Sequence, residues 1–427
     1  MQLSRGWGRQ KGDSYVVPMK PTRIGSTFLL LGLIAACSVG VTLPQEQGGR
    51  ANLHGRVETL IVGGGPNKKY NQAGIESNVR YVDLLLPSES ARRVLFADGD
   101  RSSKSVFCEG DKQDYFREPK LAHIDGPSSN TAIDTELASM AKAMSAKPET
   151  PALIYFTGHG GANRKSDFQD NYYCTWKDDQ LPVTDLATSI ARFPKTTPIV
   201  LVMVECYSGA FGNLLFEDGQ PDSELVDRPI CGFFAATAQR MSAGCTPEVN
   251  EADYRDFTGY FFAALSGFDR LGKRISGADY DHDGKVTMDE AYAYTLIHDD
   301  SIDTPVCTSD VFLRRYVKIP DADCFDNTYQ DVSTWATPAQ RAALDALKAT
   351  LGLHGAGDMQ DVYHEFRQAD PVGSDSRTVH LIRFCRLYKT IGLTHELMTA
   401  GDRQTQDRFK ALVRREHTNP LVDRPGR

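Results

Sequence analysis

Ile199-Val-Leu-Val-Met-Val204 runs into Glu205-Cys206-Tyr207-Ser208-Gly209. An apolar run of this length, closed by turn residues, reads as a strand buried on both faces, as parallel sheets require. Upstream, Ala152-Leu-Ile-Tyr-Phe-Thr157 has the same character and ends in Gly158-His159-Gly160-Gly161. Residues 183–192 between them are helix-like and supply the crossover that parallel strands need. Two strands therefore end on one edge of a sheet, one presenting a histidine and the other a cysteine. Open α/β sheets bind and react at that edge. A thiol and an imidazole gathered there point to nucleophilic catalysis.

Further strands extend the pattern outward. Glu58-Thr-Leu-Ile-Val62 ends in Gly63-Gly64-Gly65-Pro66, and Arg93-Val-Leu-Phe-Ala97 ends in Asp98-Gly99-Asp100. Ile230-Cys-Gly-Phe-Phe-Ala-Ala236 is another buried strand. Residues 132–146 and 257–265 carry helical patterns, while 101–130 read as polar loop. Alternation of strand and helix over 57–300 predicts one doubly wound α/β domain with a mostly parallel sheet flanked by helices. Beyond it, helical patterns at 338–351, 359–368, 377–391 and 402–415 predict a helical C-terminal extension, residues 331–427.

The chain has 427 residues, 41% hydrophobic and 24% charged, so it can bury a sizeable core. Its net charge is −8 and it has no long basic run, which argues against a nucleic-acid partner. Arg23 precedes Ser26-Thr-Phe-Leu-Leu-Leu-Gly-Leu-Ile-Ala-Ala36, a run too short for a comfortable membrane span but fitting a signal peptide. Its end, Leu33-Ile-Ala-Ala-Cys37, resembles a bacterial lipobox. That resemblance implies residues 1–37 as a lipoprotein signal (with Met19 an alternative start) and Cys37 as the lipidated residue. It also implies a membrane partner through the N-terminal lipid. Ser38 in place of Asp implies the outer membrane of a bacterial envelope. Residues 38–56, polar and rich in Gly and Gln, read as a tether to a domain spanning 57–330.

Of the nine cysteines, setting aside Cys37 and Cys206 leaves seven, and export permits up to three disulfide pairs among them with one thiol left over. Cys307 with Cys324 and Cys231 with Cys245 are plausible local pairs, though connectivity is not legible in sequence.

The two strand-end motifs together resemble the clan CD cysteine peptidases, the legumain and caspase group. These carry an apolar block ending in His-Gly and a second ending in Cys, often followed by Ser-Gly. Here the histidine and cysteine are 47 residues apart. Two flanking segments are also legumain-like: the loop Gly64-Gly65-Pro66-Asn67 to Asn71-Gln72, and Phe234-Ala-Ala-Thr237-Ala238 running to Ser242-Ala243-Gly244-Cys245. The resemblance implies a caspase-like fold and a peptide or protein substrate. It implies Cys206 as nucleophile, His159 as general acid/base, and the amides of Gly160 and Cys206 as oxyanion donors. It further implies substrate contacts at Asn71, Glu205, Thr237 and Ser242. A helix starting at Ser208-Gly209 would lower the thiol pKa. Two departures bear on specificity: Val204-Glu205 replaces the Glu-Ala or Gln-Ala pair before the cysteine, and Tyr70-Asn71-Gln72 stands where legumains carry Arg-His. The rival reading is a non-catalytic envelope lipoprotein using the same fold for binding or structure.

Asp279-Tyr-Asp281-His-Asp283-Gly284-Lys285-Val-Thr287-Met-Asp-Glu290 fits an EF-hand loop. Carboxylates fall at positions one, three and five, a glycine at six, and a glutamate at twelve. Asp279, Asp281, Asp283, Lys285 (through its carbonyl), Thr287 and Glu290 are the candidate ligands, and calcium is the implied, structural cofactor. No organic cofactor is expected: Gly63-Gly64-Gly65 lacks the third glycine of a dinucleotide fingerprint.

Overall fold

The computed structural model describes residues 56–87, 90–353 and 359–422, which lie within one compact unit. The signal, Cys37 and most of the tether fall outside the described residues. In chain order the strands are β1 (Glu58–Gly64), β2 (Arg92–Phe96), β3 (Val106–Cys108), β4 (Tyr115–Arg117), β5 (Ala152–Gly158), β6 (Gly160–Gly161), β7 (Tyr172–Thr175), β8 (Asp179–Pro182), β9 (Ile199–Met203), β10 (Ile230–Phe234) and β11 (Val306–Cys307). The helices are α1 (Ala73–Leu85), α2 (Asn130–Met144), α3 (Val183–Ile190), α4 (Phe257–Ser266), α5 (Met288–His298), α6 (Thr308–Tyr316), α7 (Asp321–Phe325), α8 (Tyr329–Trp335), α9 (Pro338–Thr350), α10 (Met359–Gln368), α11 (Ser376–Ala400) and α12 (Arg403–Glu416).

The main sheet has the order β11-β10-β9-β5-β1-β2, parallel throughout except for β11 at one edge. All seven residues of β5 and all five of β9 are buried, which is why both read as unbroken apolar runs. The chain goes from β1 out to β2, then returns past β1 to β5. Right-handed crossovers therefore put α1 on one face and α2 and α3 on the other. The reversal makes the C-terminal edge between β1 and β5 the switch point of the sheet. His159 follows β5 directly, and Cys206 lies three residues beyond β9, its immediate neighbour. The doubly wound α/β expectation is met.

Several local expectations are corrected. Residues 101–130 are not all loop: β3 and β4 form a hairpin, with Phe107 opposite Phe116. A second small sheet, β6-β7-β8, pairs Gly160 with Tyr173 and so braces the residue after the histidine. Helix α11 runs to Ala400, nine residues past the expected end. Its buried residues include the polar Arg383 and Thr390 as well as Leu393 and Leu397 in the added turns. The eight described cysteines are free thiols. Cys231 is enclosed in β10 and Cys245 bonds the Gly158 carbonyl, so these two are engaged apart; Cys307 bonds Ser309, and Cys324 sits in α7.

Candidate active site

Three chain segments converge at the switch edge. From the β1–α1 loop come Tyr70 and Gln72. His159 Nε2 lies 2.9 Å from the Tyr70 carbonyl and 2.8 Å from Gln72 Oε1. A backbone carbonyl only accepts, so Nε2 carries the proton and Nδ1 is left as the free base. The Tyr70 ring meets the imidazole edge-on, with centroids 5.7 Å apart. Tyr70 and Gln72 thus orient the histidine from the position where the sequence offered only a departure from the legumain pattern.

Backbone constraints fix the histidine loop. Gly158 has φ of +155°, and a Cβ there would stand 2.4 Å from the Gly64 carbonyl and 2.8 Å from the Tyr173 hydroxyl. Only glycine fits that conformation and that space. The His159 carbonyl accepts the Cys174 N–H at 2.8 Å, and the Cys245 thiol donates to Gly158 O at 2.9 Å.

The nucleophile loop is held as firmly. Cys206 leads into Tyr207, a left-handed residue with φ of 63°, and then a 3-10 helix, Ser208–Leu215. Buried Asn171 donates to the carbonyls of Tyr207 (3.2 Å) and Ala238 (2.9 Å). The Ser242 N–H points at Cys206 Sγ from 3.4 Å, and the Ser242 hydroxyl donates to Val204 O at 3.0 Å. The two loops touch through Gly160: a Cβ on it would lie 2.0 Å from the Cys206 carbonyl oxygen. The residue expected to donate to an oxyanion is therefore pressed against the backbone of Cys206. Among the described residues, no hydrogen bond joins the His159 and Cys206 side chains.

Electrostatics set the resting state. Burial pushes the imidazole down to about 4, only partly opposed by the Tyr70 carbonyl. Burial also raises the Cys206 thiol above its ordinary value, partly offset by the Ser242 amide. This runs against the expectation of a thiol acidified by a helix start: loss of water is the largest influence, and the segment that follows is a 3-10 helix. Thiol and imidazole are both neutral at pH 7, so the thiolate forms only as the thiol proton moves to an acceptor such as Nδ1.

The other expected substrate contacts sit deeper than a cleft wall. Asn71 is fully buried; its side chain accepts from Gly65 N (3.2 Å) and donates to Ser105 O (2.9 Å), shaping the β1–α1 loop. Glu205 is 0% exposed and neither of its oxygens has a hydrogen-bond partner. Burial pushes its carboxyl up to about 8, and the nearby amides of Glu205 and Val204 ease it too weakly to prevent this. Thr237 is buried, its carbonyl accepting the Arg240 N–H at 3.1 Å, while Ser242 alone of the four touches the Cys206 sulfur.

In the 279–290 loop the structure brings together Asp279, Asp281 and Asp283, with ligand oxygens within 4.8 Å of one another. Asp279 Oδ1 is enclosed without a hydrogen-bond partner. Gly284 takes a φ of +87° at the sharp turn. Glu290 departs from its expected role. Its Oε1 accepts from Tyr280 N and Asp281 N, and its Oε2 from the Thr287 amide and hydroxyl, capping α5. Thr287 is thereby a helix cap, and the Lys285 amide bonds Asp283 Oδ1 at 2.8 Å.

The chain is thus an α/β protein with a thiol and an imidazole at the switch edge of its sheet. No known family model matches it, and no curated protein matches it. Solved structures give distant likenesses. A protein of Geobacter sulfurreducens is 14% identical, with a TM-score of 0.36 over 59% of this chain and 92% of that one. A secreted C11 cysteine protease from Bacteroides thetaiotaomicron, in complex with an irreversible peptide inhibitor, is 12% identical, with a TM-score of 0.31 over 64% and 73%.

Proposed function

We propose that the protein is a cysteine endopeptidase of the legumain and caspase type. The observation that carries this reading is the placement of His159 and Cys206 after adjacent parallel strands, with Gly160 packed on the Cys206 carbonyl. The Cys206 thiol gives its proton to His159 Nδ1 as sulfur attacks the scissile carbonyl carbon. The oxyanion is received by the Gly160 and Cys206 amides. As the C–N bond breaks, the imidazolium returns the proton to the leaving amine, and a thioester remains on Cys206. Water resolves that thioester in hydrolysis, and an amine in transpeptidation.

A peptide acyloxymethyl-ketone probe and a peptide library test this on wild type, Cys206→Ala and His159→Ala. The expected result is labelling lost in Cys206→Ala and cleavage reduced by a factor on the order of a hundred or more in His159→Ala. Labelling that survives Cys206→Ala removes the nucleophile, and a library left intact by wild type favours a non-catalytic binding module. Because burial raises the thiol pKa, iodoacetamide alkylation of Cys206 is expected to be slow at pH 7 and to climb as pH rises. A plateau already reached at pH 6 overturns the neutral resting pair.

Two accompanying proposals rest on other residues. Asp279, Asp281 and Asp283 are proposed to hold calcium, supported by their convergence and by the enclosed, unpartnered Asp279 oxygen. The ion would offset two of the three negative charges and brace the loop leading into α5. Lipidation of Cys37 and anchoring in the bacterial envelope are proposed from the lipobox resemblance. Membrane partitioning of the full chain that persists in Cys37→Ser would overturn the anchor.

A further inference from the structure

The contacts that hold Ser242 against Cys206 continue well beyond the sheet. Ala243, the next residue, donates its N–H to Asp303 Oδ1 at 2.6 Å. The other oxygen of Asp303 accepts from Phe257 N at 2.9 Å, at the start of α4. Asp303 is completely buried and lies in the loop between α5 and β11. Three carbonyls of that loop converge on one guanidinium from the C-terminal helices. Arg383 of α11 donates through Nε to Asp303 O at 2.7 Å, through Nη2 to Ser301 O at 3.2 Å, and through Nη1 to Asp299 O. Its side chain is fully enclosed, and Nη2 also lies 3.6 Å from the Asp299 carboxylate.

A second arginine pins the other end of the same segment. Arg240 is 5% exposed and stands two residues before Ser242. Its Nη1 donates to Pro371 O at 2.5 Å and its Nη2 to Gly373 O at 2.7 Å, in the turn between α10 and α11. The Arg240 carbonyl accepts the N–H of Tyr207, the residue after the nucleophile, at 2.7 Å. Residues 240–243 are thus tied at both ends to the helical segment whose purpose the sequence leaves open. A rigid, forked cation that binds several carbonyls fixes orientation in a way a lysine does not. Burying such a cation in a helix is costly in itself, so its contribution lies in geometry.

We propose that the C-terminal helices are the template for the nucleophile loop, with Arg383 a positioning residue that acts through Asp303 and Ala243 on the Ser242 amide facing Cys206. This deepens the peptidase reading and rests on Cys206 being the nucleophile. The Ser242 N–H favours the thiolate, so a loosened segment slows reaction at sulfur and moves the thiol pKa upward.

The test is the second-order rate of iodoacetamide alkylation at Cys206 against pH, read by mass spectrometry of the Cys206 peptide. It uses the full chain of wild type, Arg383→Lys and Arg240→Lys, with Cys206→Ala as blank. Lysine keeps the charge and loses the fork, so the comparison isolates geometry. The expected outcome for each variant is a rate reduced about tenfold, the worth of one hydrogen bond to a charged sulfur, with the midpoint moved to higher pH. A purely structural arginine would lower the melting temperature and leave the rate and midpoint of the folded protein unchanged, which overturns the proposal. If Arg383→Lys does not fold, Arg240→Lys decides by the same criterion. Alkylation is read whether or not any peptide is cleaved. Wild type that alkylates normally but cleaves nothing therefore sinks the peptidase reading and leaves the positioning test intact.

Discussion

Glu205 and the carboxylates of the 279–290 loop are all acidic, and the protein treats them in opposite ways. Glu205 is sealed beneath the Cys206 loop with no hydrogen bond to either oxygen, and burial drives it toward the neutral acid. Asp281 and Asp283 are exposed, with Asp279 half-buried beside them, and each accepts a backbone amide of its own loop. That cluster is open to water and to amides of its own loop, as the proposed cation site would require. At the edge that holds His159 and Cys206, burial instead disfavours the charged forms of both and of Glu205. Burial, rather than residue type, separates the two places.

The largest expected effect contrasts one glycine from each region. In Gly160→Ala the new methyl collides with the Cys206 carbonyl, whereas nothing lies within 4 Å of a Cβ at Gly284. Gly160→Ala is expected to cut peptide cleavage by at least about a hundredfold, since the loop must retreat from the nucleophile and take an oxyanion donor with it. Gly284→Ala carries only the strain of φ +87°, on the order of 1 kcal/mol in melting experiments, with cleavage retained. Equal cleavage by Gly160→Ala and wild type would break the assignment of the site.

Glu205 gives the next test, through pH. Its folded pKa of about 8 lies above the ordinary carboxylate range. The folded state therefore holds its proton more tightly than the unfolded chain does. That contribution to stability is complete below about pH 4.5 and is lost as pH rises through 8. Glu205→Gln stays neutral at every pH. Relative to wild type it is expected to gain stability on going from pH 5 to pH 8, by a few kcal/mol at order of magnitude. Thermal melts of both proteins across that range check the sign; parallel curves would mean that Glu205 finds a partner when ionised.

The sheet was legible because its strands are buried on both faces, and such strands must be continuously apolar. The histidine and cysteine were legible because they end two of those strands. What supports them was not. Tyr70 acts through a backbone carbonyl, which any residue supplies, and Gln72 stands where the legumain pattern has a basic pair. Asn171, Asp303 and Arg383 act across long sequence separations by bonding main-chain groups, and no periodicity marks them. Glu205 was placed beside the substrate because it adjoins Cys206. Successive side chains alternate in direction near a strand end, and a neighbour of the nucleophile points inward. The C-terminal helices were visible as helices, but composition does not distinguish Arg383 of α11, fully buried and bonded to main-chain carbonyls, from a surface arginine.

The smallest expected effect concerns the loop. As positions one, three and five of an EF-hand, Asp279, Asp281 and Asp283 are placed for a cation, but Glu290 already spends its oxygens on four donors. A carboxylate has about four lone-pair sites, so Glu290 must release a donor before it can bind an ion. The proposed calcium site then rests mainly on the three aspartates. Calcium at about a hundred times its Kd is expected to add roughly 2.7 kcal/mol, a rise of a few degrees in Tm over EDTA. In Asp281→Asn that rise is expected to vanish, while the calcium-free protein is unchanged or slightly more stable because a like charge is gone. Glu290→Gln reads the opposite way: it loses part of the cap, about 1 kcal/mol in either buffer, and keeps a calcium-dependent rise. A wild-type Tm indifferent to calcium would make the loop a helix cap and nothing more, and would leave Glu205 and the aspartates differing in exposure alone.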